Sequence, residues 1–231
     1  MAIAAAPRCP QLQCARPSRR VVVRAATATG TVPTAAVEAL KQGVAQPGSV
    51  PAPAMLQAML ELEKAKLKPE GWLEIIEAPR ARWRLVFTSD SKQVMAAAKR
   101  QPNKGGIFFP LTACQRFTAA DQDFENGVFL GPVASLTFSG PYAWGPGRQL
   151  SFDVHTMKLG LGPWRFNIPL KKNGKPVEQV DPKERKKLPF FLYAYVDDDI
   201  IVARGRSGGL AVWSRATPEW QMSSGVAAVY K

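Results

Sequence analysis

Residues that carry chemistry are scarce in this chain of 231 amino acids. It has one histidine, His155, and three cysteines, two of which (Cys9 and Cys14) lie close to the N-terminus. No Cys-x-x-Cys or His-x-x-x-His spacing accompanies them, which argues against a zinc site. Cys114 stands alone in the rest of the chain, so no internal disulfide is expected there and a reducing compartment fits. No Gly-x-Ser-x-Gly elbow is present, and no glycine-rich loop precedes a helix to cradle phosphate. The glycine-rich stretch 205–209 reads as a hairpin turn. A non-catalytic protein without a cofactor is therefore expected.

Long hydrophobic runs are missing too. The longest uncharged stretch, 127–147, is long enough to span a bilayer. It contains Pro132, Pro141 and Pro146 with five glycines, which would break a helix repeatedly. It reads as strands and turns, and any membrane contact is expected to be peripheral. Acidic residues are absent from residues 1–26, which carry Arg8, Arg16, Arg19, Arg20 and Arg24. Basic, acid-free composition of this kind marks a plastid or mitochondrial transit peptide, or else a retained basic tail. Arg24 interrupts Val21, Val22 and Val23, so a secretory h-region is not formed. Removal of the segment would lower the formal charge of +13 by five. Much of the basicity is then an address label, and it does not by itself indicate a nucleic-acid partner.

What the sequence does have is patterning. An apolar content of 46% permits a sizeable core. Residues 27–53 read as linker with one short helix over 34–45, where Thr34 would be the N-cap and Val37, Leu40 and Val44 recur at helical spacing. A second helix is expected over 54–67. Met55, Leu56, Met59, Leu60 and Leu62 form its apolar face, opposite Glu61, Glu63, Lys64 and Lys66. That face either packs on its own domain or docks on a membrane or partner. From residue 82 the period becomes two, with Trp83, Leu85 and Phe87 alternating against Arg82, Arg84 and Val86. A short helix over 91–100 follows, then strands over 106–117, 127–130, 134–139, 149–157, 164–170, 190–196, 200–204 and 210–214. Turn residues separate them, so an antiparallel β-barrel or sandwich is expected over 54–220, with 221–231 as a tail.

The alternating aromatics either line an apolar pocket or pack a core. The candidate pocket set is Trp83, Phe87, Phe152, Phe166, Tyr193, Tyr195 and Trp213, with Arg204 as a polar handle at the mouth. Asp197, Asp198 and Asp199 form either a cation site or a turn capped by carboxylates. The basic stretch 171–187 is a solvated loop, a patch for anionic headgroups or an acidic partner, or an RNA contact. It lacks interleaved aromatics, which speaks against RNA.

Several segments resemble one family. Trp83-Arg84-Leu85-Val86-Phe87-Thr88-Ser89 is similar to the early "W-x-L-x-[YF]-T-S" strand of the plastid lipid-associated proteins, also called fibrillins or plastoglobulins. Leu136-Thr137-Phe138 and Leu150-Ser151-Phe152 resemble its middle strands. The run from Tyr195 through Asp197, Asp199 and Arg204 to Gly205, followed by Gly209 to Trp213, resembles its terminal hairpin. The resemblance spans about residues 35–215. One departure is Ile201, where the family usually has arginine, which leaves Arg204 alone.

The resemblance implies a mainly β, lipocalin-like antiparallel β-barrel with short N-terminal helices. It also implies a chloroplast location, at plastoglobules, at thylakoids or in the stroma. The implied partner is an apolar lipid or isoprenoid (a quinone, a carotenoid or an acyl lipid), with peripheral contact to the lipid surface. Three functions are set against one another. The first is a non-catalytic carrier with an open pocket. The second is a structural coat or scaffold with a filled barrel. The third is a small lipid isomerase or cyclase using Arg204, Asp199 and Tyr195.

Overall fold

A computed structural model describes residues 31–171 and 174–230. The transit peptide expected over 1–26 lies outside the described residues. The fold is mainly β, 35% strand and 28% helix, and its centre is a closed antiparallel barrel of eight strands.

The expected helices form, with small shifts at their ends. Helix α1 spans Thr34–Ala45, with Pro33 rather than Thr34 at the cap. Helix α2 spans Ala52–Ala65; it starts early because Pro51 and Pro53 suit the first turn, and it stops where Lys66 turns left-handed. Helix α3, Trp72–Ile76, is short. Helix α4, Ser91–Ala98, opens on a capping box between Asp90 and Gln93, and α5 is a single turn, Pro182–Arg185.

The strands are β1 (Trp83–Thr88), β2 (Ile107–Phe108), β3 (Thr112–Thr118), β4 (Asp123–Leu130), β5 (Ala134–Trp144), β6 (Gln149–Phe152), β7 (Thr156–Leu161), β8 (Trp164–Pro169), β9 (Phe190–Val196), β10 (Ile200–Gly205) and β11 (Leu210–Arg215). Pairing runs β1-β3-β4-β5-β6-β9-β10-β11 and back to β1, which closes the barrel. The short β2 adds to β1 alone.

Closure depends on a fork at β5. Tyr142, Ala143 and Trp144 pair with β6, which passes the sheet on to β9. Residues Ala134 to Ser139 pair instead with β7, which passes it on to β8. The strand expected over 149–157 is therefore two strands, separated by a kink at 153–155. The Asp153 carboxylate accepts from the Val154 N–H, contacts the His155 ring at 3.1 Å and pairs with Lys171 at 2.6 Å. These bonds hold the kink in place of a regular ladder. A side chain at Gly140 would collide with the Asp153 carbonyl, so the close approach requires glycine there.

Helices α1 and α2 cover the outer face of one barrel wall. Met55, Leu56, Met59, Leu60 and Leu62 pack with Leu40, Val86, Phe87, Ala194, Val202, Leu210 and Val212. The Met-rich face thus meets its own domain. The chain end, expected as a barrel boundary at 220 and a tail from 221, instead forms α6 (Pro218–Ser223) and α7 (Val226–Val229). They seal the outer face near β3 and β4, where Tyr230 stacks edge-on to Phe129 and its hydroxyl donates to the Cys114 carbonyl at 3.0 Å. Gly225, at φ +80°, sits against the Gly131 carbonyl, a contact and a conformation that suit only glycine. Burial pushes the Cys114 thiol up to about 12, so it stays protonated and inert.

Three buried or half-buried carboxylates make the fold sensitive to acid. Burial pulls Glu125 upward, but the Thr137 hydroxyl, Arg116 and Lys158 together hold it below its ordinary value of 4.5. Asp153 and Asp197 are also pulled up by burial, yet Lys171 and Lys41 respectively hold each below 3.8. A carboxylate depressed in the folded state stabilises it above the unfolded pKa, and that contribution is lost as pH falls through the folded one. The melting temperature is therefore expected to hold from neutrality to about pH 5 and then to fall steeply below about 4. A pH series by calorimetry checks this.

Candidate functional site

Register identifies what faces the barrel interior. Trp83 opposes Gln115, Gln115 opposes Asn126, and Asn126 opposes Phe138. Inside lies a chain of ring contacts. Phe117 meets Phe124 and Tyr142; Phe124 meets Phe152 at 4.5 Å; Phe152 stacks on Phe191; and Phe191 meets Tyr193 and Trp213. Helix α3 closes one end. Trp72 and Ile76 join this cluster, the Trp83 indole donates to the Ile76 carbonyl at 3.2 Å, and the Tyr142 hydroxyl donates to Glu77. The rings interdigitate as a packed core does. Two polar side chains there, the Gln115 amide and the Tyr193 hydroxyl, have no partner among the described residues.

The candidate pocket residues are divided by this geometry. Trp83, Phe152, Tyr193 and Trp213 meet inside the barrel. Phe87 does not join them, because β1 shifts register between Leu85 and Phe87 and turns Phe87 outward under α2. Tyr195 packs at the boundary of the two clusters. Its hydroxyl donates to Asp197, and burial with that carboxylate beside it pushes the phenol up to about 12. Asp197 in turn accepts from the Asp199 and Ile200 amides and pairs with Lys41 at 2.8 Å, so the acidic run is a capped turn tied to α1.

Arg204 is not at the barrel mouth. It lies on the helix-covered face, where its Nε and Nη2 each donate to Glu63 of α2 at 2.6 Å. A two-pronged pair of this kind fixes orientation as well as adding energy. Arg204→Ala is expected to lower stability by about 1–2 kcal/mol, with Glu63→Gln costing a similar amount and the double variant less than their sum. Urea midpoints of the three variants check this.

The most unusual surface lies beyond the fork, where the inner face of the barrel continues into the open. From Phe138 the same face runs to Met157 and Ile168, and from Leu136 it runs to Leu159 and Phe166. Val128 and Leu130 of β4 and Leu161 and Trp164 at the far turn lie on it as well. The reverse face of the same strands carries Glu125, Thr137, Lys158, Arg165 and Asn167. The flare is thus a two-sided sheet with one side apolar except for Asn126 where it meets the barrel. Trp164 is 66% exposed and Phe166 50%, and every residue of β8 is exposed. Isolated apolar residues on a surface need no explanation, but a contiguous exposed row makes this face the candidate contact surface.

No family model and no curated protein matches this chain.

The flare is the feature that reading the sequence missed. Its signal was present as the strict alternation of Trp164, Phe166, Ile168 and Leu170 with Arg165, Asn167 and Pro169. Phe166, expected in the pocket, lies on the flare instead, because alternation shows that a strand has an apolar face and does not show what that face meets.

Proposed function

We propose that this chain is a non-catalytic plastid protein that coats lipid, laying the apolar face of the flare on a plastoglobule or thylakoid surface. The observation that carries this reading is the exposed row of Trp164, Phe166 and Ile168 on a sheet whose opposite face is charged and polar. A β-sheet of that kind buries apolar area in the acyl layer and leaves its polar side in water. The flare also runs directly into the basic connection that holds Lys171, Lys175, Lys183, Arg185, Lys186 and Lys187, which suits an anionic headgroup layer. No helix among the described residues is long and apolar enough to cross a membrane, in keeping with peripheral contact. The acid-free, arginine-bearing segment 1–26 and the resemblance to plastid lipid-associated proteins support the compartment.

The crowded ring cluster inside the barrel favours a coat over a carrier. Carriage of a small apolar molecule remains the second reading, and the unpartnered Gln115 amide and Tyr193 hydroxyl are what favour it, since they offer a polar tip to a ligand or to buried water. The isomerase or cyclase reading has less support, because Arg204 is engaged by Glu63, and Asp197 and Asp199 by Lys41.

The test is to purify the protein, extract it with organic solvent and identify lipids by mass spectrometry, in parallel with flotation on lipid droplets. A coat is expected to float and to yield no stoichiometric lipid once freed of droplets. A one-to-one quinone, carotenoid or acyl lipid would move the assignment to the carrier.

A further inference from the structure

A second recess lies on the outer face of the barrel, outside its interior and with none of the apolar residues of the flare in its lining. Its floor is the outer-face row Ile200–Ser214–Arg84, which crosses β10, β11 and β1. The end of α1 forms one wall with Val44 and Ala45, and α6 forms the other with Trp220. The cavity between them measures about 410 Å³, within the range of small-molecule sites.

Every other cation at this recess is engaged. Lys41 pairs with Asp197 and Asp199 at 2.8 and 2.6 Å. The Arg215 guanidinium donates to the Asp198 and Ile75 carbonyls and lies 4.6 Å over the Trp83 ring. Arg84 differs. Among the described residues no carboxylate or carbonyl pairs with its guanidinium, whose one contact is the Trp220 ring, 5.4 Å from its centroid. An arginine half withdrawn from water without an anion is costly, and burial alone lowers its pKa. Stacking on an aromatic leaves the hydrogen-bonding edge of a guanidinium free to take two oxygens side by side. The Ser214 hydroxyl lies beside it on the same row, and the two walls present the apolar side chains of Ala45 and Trp220.

We infer that this trough is a binding site for a small amphiphilic oxyanion, a carboxylate or phosphate on a short apolar chain, with Arg84 as its anchor. The oxyanion meets the Arg84 fork and Ser214, and the chain lies between Ala45 of α1 and the Trp220 ring. The site is independent of the flare, so either assignment can fail without the other.

Calorimetric titration of the full chain with octyl phosphate, octanoate, octanol and inorganic phosphate tests it. Both amphiphilic anions are expected to bind one-to-one, at least tenfold tighter than octanol or inorganic phosphate. Arg84→Gln should weaken both anions by at least tenfold and leave octanol unchanged, and Arg84→Lys should fall between. Titration of the unaltered protein should also shift the Trp220 indole resonance, a readout that needs no variant. Vesicles containing phosphatidate separate the two sources. Binding that is sensitive to Arg84→Gln on vesicles only assigns the anion to a headgroup, and in solution assigns it to a free amphiphile. Anions binding no tighter than octanol in solution together with no Arg84-dependent binding to the vesicles, or Arg84→Gln binding unchanged in both formats, would overturn the inference.

Discussion

Replacing Phe166 and Ile168 together by glutamate is expected to abolish flotation with lipid, weakening surface binding by roughly a hundredfold. Each side chain gives up on the order of 1.5 kcal/mol or more of apolar transfer when it no longer enters the acyl layer, and two such losses reach about 3 kcal/mol. The carboxylates add repulsion from an anionic surface. The fold should be almost indifferent. Both residues lie on the exposed edge strand of the flare, outside the closed barrel, and such substitutions usually change stability by about 0.5 kcal/mol or less. Binding and stability are therefore expected to separate in this variant. A double variant that still floats while melting normally would remove the flare from the function.

Trp83→Ala should behave in the opposite way. Trp83 is fully buried within the barrel, its indole N–H holds the Ile76 carbonyl of the α3 plug, and Arg215 lies across its ring. Truncation removes a large ring from a packed cluster and frees the plug, so a loss of about 3–5 kcal/mol is expected. Guanidinium unfolding measures it. Flotation of the fraction that stays folded should be retained, because the flare is untouched. A cost below about 1 kcal/mol would show that Trp83 borders open space rather than a core, and would revive the carrier reading.

How much of this was legible in the chain depends on the range of the interaction that decides each feature. Strand β9 matches the expected 190–196, because its alternation is bounded by a proline before it and an aspartate turn after it. The two N-terminal helices and the existence of the Met-rich face follow from local periodicity, while what that face meets is set by tertiary packing. The position of Phe87 does not. Trp83, Leu85 and Phe87 alternate without fault in sequence, and only the pairing of β1 with β11 inserts the bulge that turns Phe87 outward. Arg204 likewise sits at a strand position that looks free, while its partner Glu63 lies 141 residues away on α2.

The split of 149–157 had a local hint in Asp153 and His155, side chains that compete with a ladder for backbone groups. The C-terminal helices had a clearer one, since Thr217 followed by Pro218 is a helix start and Thr217 does accept the Trp220 N–H. The flare is the deepest case. Its alternation was plain, but whether the apolar side is inside or outside is set at the β5 fork, by which half of one long strand meets β6 and which meets β7. No window of sequence contains that choice.

The most direct test of where lipid meets this protein is tryptophan quenching by lipids brominated along their acyl chains. Of the six tryptophans, Trp164 is the one on the apolar face of the flare, 66% exposed, while Trp83 and Trp213 are enclosed in the barrel. Wild-type protein bound to brominated lipid should lose a substantial share of its emission, and Trp164→Phe should bind equally and lose most of that quenching. Undiminished quenching in Trp164→Phe would place the lipid against a different tryptophan, and the flare would no longer be the surface that coats it.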